Sequence, residues 1–361
     1  MLLNQLGAPG GDAGEDLSAW HSHLAALAPA ARVLSFDAFA RCWVQEIVLL
    51  DTIAAALQDA PRRAAMRRLT AAWREERQAT FAAAIAILAE SLTRIAAARE
   101  VVAEDAGMKA RLRRAAVALR AGAGADDPGA AAQARLAAGL AAEVRDSTAA
   151  LIRLHGLEGE SAATVLGTLP ADVHQRVDPG WAAVLGGALS GAVAGLSADV
   201  ASGGLTLGGG MIAGGVLGAL GAAGIAEGVN RVRGTDRSWV AWSREALAPM
   251  PDAALLRYLA VAHFGRGRGR WADAAAPEHW AAAVHAALEP HREVLAGLWR
   301  GIEGPEVGAA AIETTRRGLQ PVLAAAARDA LLRMYPDAAA ALPAGAGAGG
   351  EIDQPGTRAT P

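Results

Sequence analysis

A chain that moves phosphoryl groups from a nucleotide needs a lysine after a glycine-rich turn, where it reaches the β- and γ-phosphates. Of the 34 basic residues in this 361-residue chain, one is a lysine, Lys109. It stands in Ala106-Gly107-Met108-Lys109-Ala110, with no glycine loop ahead of it. The chain therefore has no P-loop. The eight histidines offer no metal site either: His279, His285 and His291 are six residues apart, which scatters them around a helix. No His-Glu-x-x-His pattern occurs, and one cysteine excludes both a disulfide framework and a Cys-based zinc site. Cys42, beside Trp43, reads as a buried structural thiol, and the histidines as core or solvated residues. Glu75, Glu76, Glu90 and Glu100 are strung along a charged helix face and form no acid/base pair. No catalytic residue and no metal ligand is assigned.

Arg266-Gly-Arg-Gly-Arg270, flanked by Phe264 and Trp271, is the one short basic run with aromatic neighbours. With Arg231 and Arg233 it is a candidate contact for anionic headgroups: Arg231, Arg233, Arg266, Arg268 and Arg270. A net charge of −3 argues against a nucleic-acid coat, and no nucleic-acid partner is expected. Trp239, Trp242, Trp271, Trp280 and Trp299 fall at helical spacing, either as core or as an interfacial belt.

The elements that must hold these residues are mostly helices. Met1–Leu6 reads as the end of a strand, and Leu17, Trp20, Leu24 and Leu27 mark an amphipathic helix. Val33–Phe36 reads as a second strand. Asp37 is expected to cap a helix that buries Phe39, Trp43, Ile47, Leu50 and Leu57. Pro61 suits the first turn of a long helix. Its stripe of Met66, Leu69, Trp73, Phe81, Leu88, Leu92 and Ile95 runs over roughly forty residues, about 60 Å of rod. Arg62, Arg63, Arg67, Arg68, Arg74 and Glu75 take the opposite face. Such a rod fits a bundle helix or a coiled-coil arm, through which the chain could meet a protein partner or a second copy. A loop at 121–129 precedes another helix from about Ala130 to Leu154. Helical patterning returns from about 235 to 335, with breaks at Pro249-Met-Pro251, Gly265–Gly269 and Pro305. From Pro336 to Pro361 the Ala/Gly/Pro composition predicts a disordered tail.

Trp181–Ala226 differs in kind. It holds one charged residue, Asp199, in 46 positions. A spanning helix needs about 20 apolar residues, and the 18 residues before Asp199 and the 27 after it sit near that limit. Gly187, Gly191 and Gly195 recur every fourth position, as do Gly210, Gly214 and Gly218. That spacing stacks glycines on one helix face, where two backbones can approach closely, as in a glycine zipper. Arg176 precedes the segment, and Arg231, Arg233 and Arg237 follow it, which places both ends on the cytoplasmic side. Asp199 at the tip favours a shallow or re-entrant hairpin over two complete spans. The alternative is a hairpin buried inside a soluble bundle. No secretory leader is read at the N-terminus, and the cysteine usage fits a reducing compartment.

Leu2-Leu3-Asn4-Gln5-Leu6-Gly7 resembles the guanine-binding strand end of Era-like GTPases, and Val33-Leu34-Ser35-Phe36-Asp37 resembles the strand and loop that follow it. Asp199–Gly210 and Arg257-Tyr-Leu-Ala-Val-Ala-His-Phe-Gly-Arg-Gly-Arg-Gly269 are similar to a bacterial family in which an Era-like GTPase domain precedes a large C-terminal domain of unknown function. The resemblance implies that Asn4, Gln5, Gly7 and Ser35 are what remains of a nucleotide site. Gln5 and Gly7 depart from the usual lysine and aspartate. The P-loop, the switch threonine and Asp-x-x-Gly would all lie upstream, so the resemblance implies an N-terminally truncated member. GTP and magnesium are expected only for a full-length relative, and no cofactor for this chain.

The expected fold is mainly α: a helical bundle with a long helix and a glycine-rich helical hairpin, plus a small N-terminal α/β remnant. The expected division is a GTPase-like remnant (1–58), a long-helix region (61–175), the hairpin (176–234), a C-terminal bundle (235–335) and the tail (336–361). The expected function is that of a non-enzymatic membrane-associating or interaction module, at the inner face of the cytoplasmic membrane. Two alternatives stand beside it: a soluble helical scaffold, and a GTP-binding protein if an upstream start restores the P-loop.

Overall fold

The structure is a computed structural model and describes residues 2–4, 12–27, 33–36, 42–102, 128–157, 238–263, 278–304 and 306–343. These form a mainly α fold, a helical bundle with two small pairs of strands. The glycine-rich hairpin expected at 176–234 lies outside the described residues, as does Lys109.

At the N-terminus, β1 (Leu2–Asn4), α1 (Asp12–Leu27) and β2 (Leu34–Phe36) make one βαβ unit. The strands pair in parallel, Leu2 with Leu34, Leu3 with Ser35 and Asn4 with Phe36. A parallel pair needs a crossover connection, and α1 supplies it. Of its apolar stripe, Trp20 is 54% exposed, Leu27 67%, and Leu24 is half-buried.

Helix α2 (Trp43–Ala56) starts six residues after Asp37, the expected cap. Cys42 occupies the N-cap position in an extended conformation, and its carbonyl accepts from the amides of Gln45 and Glu46. Trp43 and Ile47 are buried as expected, while Leu50 and Leu57 are half-buried. Helix α3 (Ala60–Ala97) is the long rod, 38 residues or about 57 Å. Asp59 caps it by accepting from the Arg62 amide, and Pro61 sits in the first turn, where no amide is needed. Only its C-terminal half is buried in the way the stripe suggested. Phe81, Leu88, Leu92 and Ile95 are core, whereas Leu69 is 55% exposed although its neighbour Thr70 is buried.

Two strands were not foreseen. β3 (Arg99–Val102) follows α3 directly and pairs antiparallel with β4 (Ser238–Ala241). Helix α4 (Pro128–Leu154) lies against both and against α3. It ends in a Schellman turn: Gly156 adopts φ 64, the Leu157 amide donates to Ile152 O, and the Gly156 amide to Arg153 O. After β4 come α5 (Arg244–Leu247), α6 (Met250–Ala262), α7 (Glu278–Leu288), α8 (Arg292–Arg300) and α9 (Ala309–Met334). The break expected at Pro249-Met-Pro251 separates α5 from α6, with Pro251 in the first turn of α6.

The core is one contiguous cluster in which α3 meets α2, α4, α6 and α9. The described tryptophans of the C-terminal third (Trp239, Trp242, Trp280 and Trp299) are buried in the protein and form no belt. The first part of the expected disordered tail is ordered. Residues 336–343 pack back onto the bundle, burying Ala338, Ala341 and Leu342, and Gln78 and Arg328 donate to the carbonyls of Ala341 and Pro343.

Candidate functional site

Helix α6 carries polar groups into the middle of this core. Arg257 and Tyr258 interrupt an otherwise apolar run, and His263 closes it. All three are buried. Arg257 donates from Nη1 to Val144 O, Ser147 Oγ and Thr148 Oγ1 on α4, at 3.1, 3.1 and 3.3 Å. Burial lowers the pKa of Arg257 to about 10, opposed by the charge of Glu143 nearby, so it remains a cation at neutral pH.

Tyr258 accepts a hydrogen bond at 3.3 Å from the Trp43 indole on α2. Its ring meets Phe81 edge-on, with centroids 5.8 Å apart, and His155 at 6.2 Å. Burial pushes the phenol well above its ordinary range. His155, on the Schellman turn of α4, donates from Nδ1 to Leu151 O at 2.9 Å. Burial lowers its pKa, and Arg77 adds to the effect.

His263 caps α6 with a bond from Nδ1 to Leu259 O at 2.8 Å. A carbonyl only accepts, so Nδ1 carries the proton and Nε2 the lone pair. Nε2 has no hydrogen-bond partner among the described residues. The ring lies on Tyr335 at 5.6 Å and on Trp280 at 4.6 Å. Burial, reinforced by His279 and His155, lowers the His263 pKa to about 4.

A second cluster joins the start of α6 to α7 and α8. Arg292 grips the buried Asp252 through both carboxylate oxygens at 2.6 and 2.8 Å, and also donates to His285 Nδ1 at 2.9 Å. His285 Nδ1 lies 3.4 Å from Asp252 Oδ1. Because Nδ1 accepts from Arg292, it has no proton to give the carboxylate. The arrangement is a clamp between helices and not the carboxylate-oriented histidine of a general base. Cys42 is fully buried, with burial raising its thiol to about 12, so it is neutral and no nucleophile. Among the described residues no three His, Cys, Asp or Glu side chains are grouped to hold a metal. Arg257, Tyr258 and Arg292 each tie one helix to another.

The sequence-expected nucleotide-site residues divide. Asn4 and Ser35 lie in β1 and β2, one register step apart across the parallel pair, while Gln5 and Gly7 lie outside the described residues. Gly187, Gly191, Gly195, Gly210, Gly214 and Gly218 also lie outside, as do Arg231, Arg233, Arg266, Arg268 and Arg270. Sequence reasoning assigned no role to Arg257, Asp252 or Arg292. The available signal was a charge inside the apolar run of Leu255–Ala262, which costs too much to bury unless a partner waits for it.

Residues 176–309 match a family described as a domain of unknown function, DUF3482. The match spans the charge-poor glycine segment, β4 and α5 to α8, and so includes Asp252, Arg257, His263 and Arg292. No curated protein and no solved structure matches the chain.

Proposed function

We propose that this chain is a non-enzymatic membrane-associating module, the C-terminal half of an Era-like GTPase system, and that it does not hydrolyse nucleotide by itself. The observation that carries the membrane part is the contrast between two regions. Trp181–Ala226 has one charge in 46 residues and glycines in fourfold register, whereas the described helices assemble a contiguous core among themselves. A segment so poor in charge, bounded by arginines, is the part of the chain best suited to a bilayer interface. Among the described residues only α3 is long and apolar enough to cross a membrane, and more than half of its apolar window is buried inside the protein. It is better explained as a core helix, which leaves the glycine segment as the membrane element.

The GTPase kinship is supported by the N-terminal βαβ unit. Its parallel register and α-helical crossover agree with two successive strands of a nucleotide-binding sheet, and the uncovered Trp20 and Leu27 suit a helix that belongs against a larger sheet. A phosphoryl-transfer site requires a phosphate cradle and magnesium ligands; the sequence has no P-loop, and among the described residues no three His, Cys, Asp or Glu side chains are grouped to hold a metal.

The test is flotation of the purified chain on a density gradient with phospholipid vesicles in 0.5 M salt (about this strength screens surface charge). The chain should rise with the vesicles. A chain that stays in the bottom fraction belongs to the alternative, a soluble scaffold with the hairpin in its core.

A further inference from the structure

We draw no further inference here: the strongest candidate, the exposed surface patch around Leu69 on the first half of α3, carries nothing, because Asp59, Glu75 and Glu76 offset Arg62 and Arg68 around it and nothing in the structure shows what covers it.

Discussion

His263 is a proton site held in its neutral form by its surroundings. Nδ1–H is committed to Leu259, and a proton on Nε2 would bring a charge among Trp280, Tyr335 and the buried flank of α6. Free histidine titrates near 6.5 and this one near 4, so between those values the unfolded chain binds more protons than the native one. Its contribution is intact above about pH 6.5 and is lost as the pH falls, at about 1.4 kcal/mol per unit, levelling near pH 4. His155, lowered by burial too, acts in the same direction. Urea melts from pH 7.5 to 4.5 should show this loss, on the order of 3 kcal/mol for His263, and His263→Phe should flatten the profile. Equal slopes for the two proteins would mean that acid unfolding is governed elsewhere. Arg257 makes a different prediction. The hydroxyls of Ser147 and Thr148 also donate to Val144 O within their own helix, so losing the guanidinium leaves them satisfied. Arg257→Met should therefore cost less than about 1.5 kcal/mol, while Arg257→Ala, which opens a cavity, should cost about 2–4 kcal/mol. Similar losses in thermal melts would show that the charge matters more than the volume.

At the scale of elements, what was legible in the sequence was what local signals determine. Asp59 and Pro61 announce the start of α3, and the stripe through Phe81, Leu88 and Leu92 announces its buried face. Leu69 belongs to the same stripe yet is exposed, because periodicity reports a face and not whether a neighbour extends far enough to cover it. β3 and β4 were invisible because each has four residues, and their pairing joins Arg99 to Ala241 across the chain; no local window contains that partner. The tail differed for the same reason, since Ala341 and Leu342 are held by contacts with helices far back in sequence. Arg99 shows what such long-range positions do: it donates to the carbonyls of Ala96, Ala98, Ile302 and Gly304, joining the end of α3 to the turn after α8. The Schellman turn of α4 is testable at one atom. Gly156 has φ 64, so Gly156→Ala should destabilise by about 1–2 kcal/mol. Gly139→Ala, in the exposed interior of the same helix with nothing within 4 Å of the added carbon, should stabilise by about 0.5–1 kcal/mol. If both changes act alike in denaturant melts, the turn does not limit the stability of α4.

The whole molecule combines a helical body and a segment of contrary composition. In the body, buried charges and rings are spent on joining helices: Arg257 joins α6 to α4, Tyr258 joins α6 to α2, and Arg292 joins α8 to α6. The candidate nucleotide remnant was legible only as spacing, Asn4 and Ser35 separated by one helix, and the parallel pairing of β1 with β2 gives that spacing a geometry. The glycine segment was legible from its lack of charge alone, and it sets the central claim that this chain works at a membrane. The most direct measurement is carbonate-washed fractionation of the tagged full-length chain in a bacterial host. The account predicts that the chain remains in the washed membrane pellet, because an inserted glycine-rich hairpin is not removed by stripping surface charge. Quantitative release into the supernatant would contradict it and leave a soluble helical scaffold in its place.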